Sequence, residues 1–235
     1  MNEGFLRRFG LLVIFLLGTG AFAGGVWRYA YLEALDQLAQ RGEADLKLAT
    51  DRLTGQLQLF QQLAVLMAEH PTVAKVLGGQ DAQEVQSLLQ QVVDKTAARD
   101  TQIVDVQGRV LVSATNSKVR DVSKTPHFIR AKHGAMGEHH AVRGAGPLRD
   151  YYFAAPIFDS AGSFMGAFIV TAKIEKVEAE WRGAGPAVIV TDRNGVVFIT
   201  NRSELLFWQR DSATQNLGPK GEGPEPLSRY MVGAH

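Results

Sequence analysis

The chain has 235 residues, is 46% hydrophobic and carries a formal net charge of +1, enough for one or two domains with a real core. A near-neutral balance without a run of Lys or Arg gives nucleic-acid binding no footing. The absence of cysteine excludes thiol catalysis, Cys-ligated zinc and disulfide stapling, and leaves the compartment open.

The N-terminus speaks to the compartment. "MNEGFLRRFG" carries Arg7 and Arg8, and "GLLVIFLLGTGAFAGGVW" (10–27) follows without a charge. Such a stretch is just long enough to cross a bilayer as a helix. The arginines place residues 1–9 in the cytoplasm and the remainder outside it. Trp27, Tyr29 and Tyr31 form an aromatic belt at the outer interface. "AFA" at 21–23 has the form of a signal-peptide cleavage site, which is the rival reading. The anchor is preferred because the helical pattern leaves the membrane without a break.

From Trp27 to Glu69 there is no proline, and Leu32, Leu35, Ala39, Gly42, Leu46, Ala49, Leu53, Leu57, Phe60, Ala64 and Met67 recur at steps of three and four. That near-heptad stripe predicts a long helix with one narrow face in want of a partner, either its own domain or a parallel dimer seam. Dimer contacts are expected near the membrane and domain packing further out, with Pro71 ending the helix. A second helix is expected over 82–98, capped by Asp81 with Glu84 three residues on.

The texture then changes. "TQIVDVQGRVLVSAT" reads as a β-hairpin turning at Gly108, and "TPHFIRAKHG" as a short helix with Pro126 in its first turn. "GEHHAVRGAG", "RDYYFAAPIFD" and "GSFMGAFIVTAKI" read as three further strands, and "EKVEAEWRGAG" as a short helix. "VIVTDRNGVVFITN" repeats the first hairpin with Asp192 and Gly195 in the places of Asp105 and Gly108, and a weaker copy surrounds Asp159 and Gly162. Asp and Gly at these spacings are turn residues. The order predicts an α+β domain of about five antiparallel strands with one covered face, and the start of a second domain that "GPKGEGPEPLSRYMVGAH" cannot complete.

Positive and imidazole groups concentrate between Lys124 and Lys173: Arg130, Lys132, Arg143 and Arg149, with His127, His133, His139 and His140. They suit either an anion pocket or a basic surface loop. Along "RDYYFAAPI" alternation sends Tyr151, Phe153 and Ala155 one way and Tyr152 and Ala154 the other. Lys173 ends an apolar strand, as a snorkelling residue or a ligand contact. His139 and His140 are poorly placed for a metal, because neighbours on a strand point to opposite faces. No metal, cofactor, phosphate-loop or catalytic motif is present.

The anchor and long helix, "TPHF", "RDYYFAAPIFDSAGSFMGAFIVTAKIEKVEAEW" and "VIVTDRNGVVFITNRSELLFW" together resemble the sensing region of four-carbon dicarboxylate sensor histidine kinases. The resemblance implies tandem PAS-like (double Cache) domains in the periplasm, held at the bacterial inner membrane and dimeric through the long helix. It implies a membrane-distal ligand-binding domain at 101–181 behind a stalk at 28–100, and an incomplete membrane-proximal domain at 182–235. It also implies a small organic anion as ligand and a kinase output that this chain lacks. Lys173 matches the family's carboxylate-binding lysine, and Tyr151 and Tyr152 its strand. Thr125 stands where the family has an arginine, and "RGAG" (143–146) replaces a Thr/Ser-rich stretch. Hence Arg143, Arg149 and Lys173 are expected to neutralise the ligand, with Arg130 a further candidate and His127 and Tyr151 orienting it, unless the ligand is no simple dicarboxylate. Input to a chemoreceptor or a cyclic-dinucleotide enzyme, or a secreted binding protein, are the alternatives.

Overall fold

A computed structural model describes residues 3–79, 82–142, 149–179, 187–210 and 217–219. By its internal contacts the chain divides into two units, 1–51 and 52–235. The described part of the first is helical: α1 runs over Glu3–Ala68 without interruption, as the proline-free pattern requires. Its large apolar side chains, among them Phe15, Leu17, Phe22, Trp27, Leu32, Leu35 and Leu46, are exposed. Among the described residues no helix is long and apolar enough to cross a membrane.

In the second unit the same stripe is buried. Phe60, Ala64 and Met67 enter the main core, joined by Val73 and Val76 of α2 (Pro71–Leu77) and Val85 and Leu89 of α3 (Ala82–Thr96). Pro71 does not end α1, which stops at Ala68; it opens α2. Proline suits the first helical position, where its missing N–H would be unpaired anyway. His70 caps that helix, its Nδ1 accepting from the Thr72 amide at 3.2 Å.

Five strands follow: β1 (Asp100–Asp105), β2 (Val110–Ser113), β3 (Gly137–Val142), β4 (Arg149–Phe158) and β5 (Phe164–Lys173). They form one antiparallel sheet in the order β2-β1-β5-β4-β3, which leaves β3 at an edge. The alternation read from "RDYYFAAPI" is observed. Phe153, Ala155 and Ile157 pack with α1, α2 and α3, while Ala154 packs with Phe128 and Ala131 of α4 (Pro126–Lys132) on the opposite face. Both faces are therefore covered, not one. The extra cover is α4, whose apolar side supplies a second, smaller core.

Space for α4 is made by Gly137. A Cβ there would lie 1.8 Å from the His127 carbonyl oxygen, so only glycine lets the helix rest on the edge strand. Beyond β5, α5 (Ile174–Ala179) leads to a second hairpin, β6 (Ile189–Thr191) and β7 (Val197–Thr200). A two-stranded ladder of β8 (Gln209–Arg210) and β9 (Leu217–Gly218) follows. A third apolar cluster joins the two hairpin systems through Val142, Ile174, Val177, Phe198 and Ile199.

The repeated motif is one turn built three times. Asp105, Asp159 and Asp192 each accept two backbone amides on Oδ1, from residues two and four further on, at 2.8–3.0 Å. The paired glycines Gly108, Gly162 and Gly195 take φ of 87°, 83° and 75°, where a side chain is strained. Replacing Gly137 with Ala should push α4 off the sheet and lower stability by about 1–3 kcal/mol. Urea unfolding checks this through a lower midpoint at unchanged m-value.

Candidate functional site

The junction between the sheet and the second hairpin is an ionic network. Arg149, at the start of β4, is buried, and both its terminal nitrogens donate to Glu178 of α5 at 2.6 Å. The same guanidinium donates to the Phe198 carbonyl of β7, and the Thr200 amide of that strand donates to Glu178 Oε1 at 2.8 Å. Glu175 accepts from the Arg149 amide and, at 3.0 Å, from Arg99. Arg99 also donates to the fully buried Asp150, which accepts from the Tyr152 hydroxyl at 3.3 Å. Two-pronged pairing of this kind satisfies geometry as well as charge.

Beside this network three imidazoles and two phenols lie in sequence, starting on the α4 face of the sheet. His127 of α4 is buried and stacks on Tyr152 at 4.8 Å, nearly parallel, and on His139 at 6.1 Å. The chain of rings continues round the edge strand through His140 to Tyr151 and Phe198. Thr125 Oγ1 donates to the Val122 carbonyl at 2.7 Å, so its lone pair receives His127 Nε2–H at 3.2 Å. That assigns the proton to Nε2 and leaves Nδ1 buried with no hydrogen-bond partner. Burial, reinforced by His139, pushes His127 down to about 3. Burial and His140 push His139 down to about 4. His140 is lowered too, chiefly by burial, with Asp192 opposing and Arg193 adding to the effect. All three rings are neutral at pH 7.

A cleft of about 810 Å³ opens along β3 between α4 and the β6–β7 turn. Among the described residues its cations are Arg130 and Arg193, and its acids are Glu138 and Asp192. His139, His140, Tyr151 and Phe198 supply ring surface, and Asn194 a side-chain amide. Burial, then Glu138, raises Tyr151, so its hydroxyl keeps its proton; that hydroxyl lies 3.5 Å from Glu138 Oε2.

The sequence-based candidates are dispersed by this geometry. Arg130 and Tyr151 line the cleft. His127 is buried one ring behind it, stacked on His139. Lys173 is exposed at the end of β5, opposite Asp150 in the register. Arg149, expected on the ligand, is held by Glu178 inside the junction. Arg143 lies outside the described residues.

Sequence reasoning missed Arg193, Asp192 and Asn194, because the repeated turn was read as punctuation only. It passed over His139 and His140 because strand neighbours diverge, yet an edge strand lets both faces border one cleft. Glu178 had a usable signal. It sits four residues after Ile174 and one after Val177, on the buried side of a short helix.

The comparisons with known proteins agree with this architecture. The C4-dicarboxylate transport sensor protein DctB of Pseudomonas aeruginosa is 21% identical over 246 residues, covering 96% of this chain. The protein of the same name from Rhizobium meliloti is 24% identical over 188 residues, covering 76%. The chain is a homologue of these dicarboxylate sensor proteins. It spans 39% and 30% of their lengths. Its fold is that of the sensor domain of the Vibrio cholerae histidine kinase DctB, with a TM-score of 0.66 at 20% identity over 74% of this chain and 70% of that one. No protein-family model matches the chain.

Two measurements bear on the site's electrostatics. Arg149→Met leaves Glu178 buried without its cation and should cost about 3–5 kcal/mol, whereas Arg149→Met with Glu178→Leu should recover most of it. Denaturant unfolding of the two variants and the parent checks the difference. The lowered imidazoles mean the unfolded chain binds more protons than the fold between the unfolded value near 6.5 and the folded values of about 3 and 4. Stability should therefore be full above pH 6.5 and fall steadily as the pH drops toward 4. His127→Gln should make that slope shallower, read from unfolding midpoints at pH 5 and 7.5.

Proposed function

We propose that the chain is the periplasmic ligand-sensing input region of a membrane-bound sensor histidine kinase and that it binds a small organic anion. The observation that carries this reading is the cleft. A fold shared with the V. cholerae DctB sensor domain here presents two arginines beside a ring-lined wall. Because the nearby imidazoles are neutral, Arg130 and Arg193 supply the positive charge lining the cleft among the described residues. Tyr151 orients the ligand, and His127, stacked behind His139, holds the wall in place.

The stripe on α1 supports the remainder of the proposal. Residues 10–27 anchor the chain, and the exposed Leu32, Leu35 and Leu46 pair with a second copy. Among the described residues buried apolar positions begin at Phe60, so the membrane-side part of the stripe has apolar surface to contribute to a dimer. Ligand binding shifts the balance between two arrangements of that dimer, to the extent that it favours one of them. An output domain then carries the phosphotransfer chemistry.

In detergent micelles, the full chain should bind a carboxylate by isothermal titration calorimetry. Arg130→Gln and Arg193→Gln should each weaken that binding about tenfold, the loss of one charge-assisted hydrogen bond. Lys173→Ala tests the site implied by the family resemblance. If it abolishes binding while both arginine variants bind normally, the site lies at the end of β5 and the cleft is not the pocket.

A further inference from the structure

His140 sits where the sheet meets the second hairpin. Its ring lies 4.5 Å from Phe198 of β7 and 6.3 Å from Tyr151, its partner across the ladder on β4. The contact with Phe198 joins two separate ladders, because β3 belongs to the five-stranded sheet and β7 pairs with β6. A change of charge on this one ring therefore acts on how the two are held together.

Among the described residues, charged and titratable groups reach it from each neighbouring element. The β6–β7 turn brings Asp192 and Arg193, and β4 brings Tyr151. From α4 come Arg130 and, behind His139, His127, and its own strand adds Glu138 and His139. Phe198 also carries the Arg149 guanidinium, 6.0 Å from its ring centre. An imidazolium at His140 would set a second cation against the same ring, in a half-buried place where charge is costly. Burial and Arg193 oppose that charge, and Asp192 favours it. Asp192 is not at liberty to follow the ring, because its Oδ1 accepts the Asn194 and Val196 amides at 2.8 and 3.0 Å. Water is then the better place for the charged ring.

We propose that His140 is a proton-sensing site at this junction: its protonation drives the ring from Phe198 into water and loosens the β6–β7 hairpin from the sheet. The site gives the chain a second input, which does not depend on what anion the cleft takes. Opening returns the ring to water, where it titrates near 6.5, so docking is strongest above that pH and weakens as the pH falls. For a ring fully freed on opening, linkage sets a ceiling of about thirtyfold more opening at pH 5 than at pH 7.5.

Hydrogen exchange of the full chain in detergent micelles, corrected for intrinsic rates, compares the amides of β6 and β7 with those of β5. Exchange of the hairpin relative to β5 should rise about three- to thirtyfold from pH 7.5 to pH 5. Global destabilisation through His127 and His139 reaches both segments and cancels in the ratio. His140→Phe keeps a ring against Phe198 but cannot titrate, and its ratio should stay within about twofold. His140→Gln, also uncharged, should be as flat and serves if the phenyl ring is not accommodated. Asp192→Asn keeps the turn's acceptor and should enlarge the response, whereas Arg193→Gln should shrink it. Hairpin and β5 rising in parallel in the parent chain overturns the proposal. So does a pH response that survives in His140→Phe or His140→Gln, or one that Asp192→Asn and Arg193→Gln leave the same.

Discussion

The buried pair of Arg149 and Glu178 is the constraint on which the functional end of the molecule depends. Arg149 opens β4 and Glu178 lies on α5, so their pairing joins the two ends of a continuous β4–β5–α5 path. The same two side chains reach the Phe198 carbonyl and the Thr200 amide of β7. A buried charge without its partner is strongly unfavourable, so the second hairpin is held in one register against the sheet. The apolar cluster of Val142, Ile174, Val177 and Phe198 seals the junction, but hydrophobic contact alone is not directional. The charged pair supplies the direction.

The cleft is a consequence of that fixed junction. Its walls come from α4, the edge strand β3 and the β6–β7 turn, elements far apart in the chain. An edge strand has one side without a neighbour, which is why His139 and His140 both reach the same space. Gly137 lets α4 approach closely enough to close one side, and the Asp192 turn projects Arg193 and Asn194 from the other. Among the described residues the result is a ring-lined cleft with two arginines and two acids.

Much of the fold was legible because it follows from local rules. The proline-free stripe specifies α1, alternation in "RDYYFAAPI" assigns the two faces of β4, and three Asp–x–x–Gly turns punctuate the hairpins as read. Two readings missed. Pro71 was taken as a stop, although proline equally begins a helix, and only the capping His70 distinguishes the two. The sheet was expected to have one covered face, because the short α4 gives no hint in sequence of which surface it will cover.

Candidate site residues were less legible, and the reason is physical. A cluster of Arg, Lys and His in one window states that charge is available, not which groups remain free after folding. Arg149 looked like a ligand group until Glu178, distant in sequence, took both prongs of its guanidinium. Arg193 looked like a turn residue until the junction turned it toward β3. By itself the sequence determined the α+β class, the long helix, the hairpin turns and the supply of cations and rings, because those depend on period and residue type. The tertiary structure alone decided which cations are spent on internal pairs and which line the cleft, because ion pairing depends on distance in space.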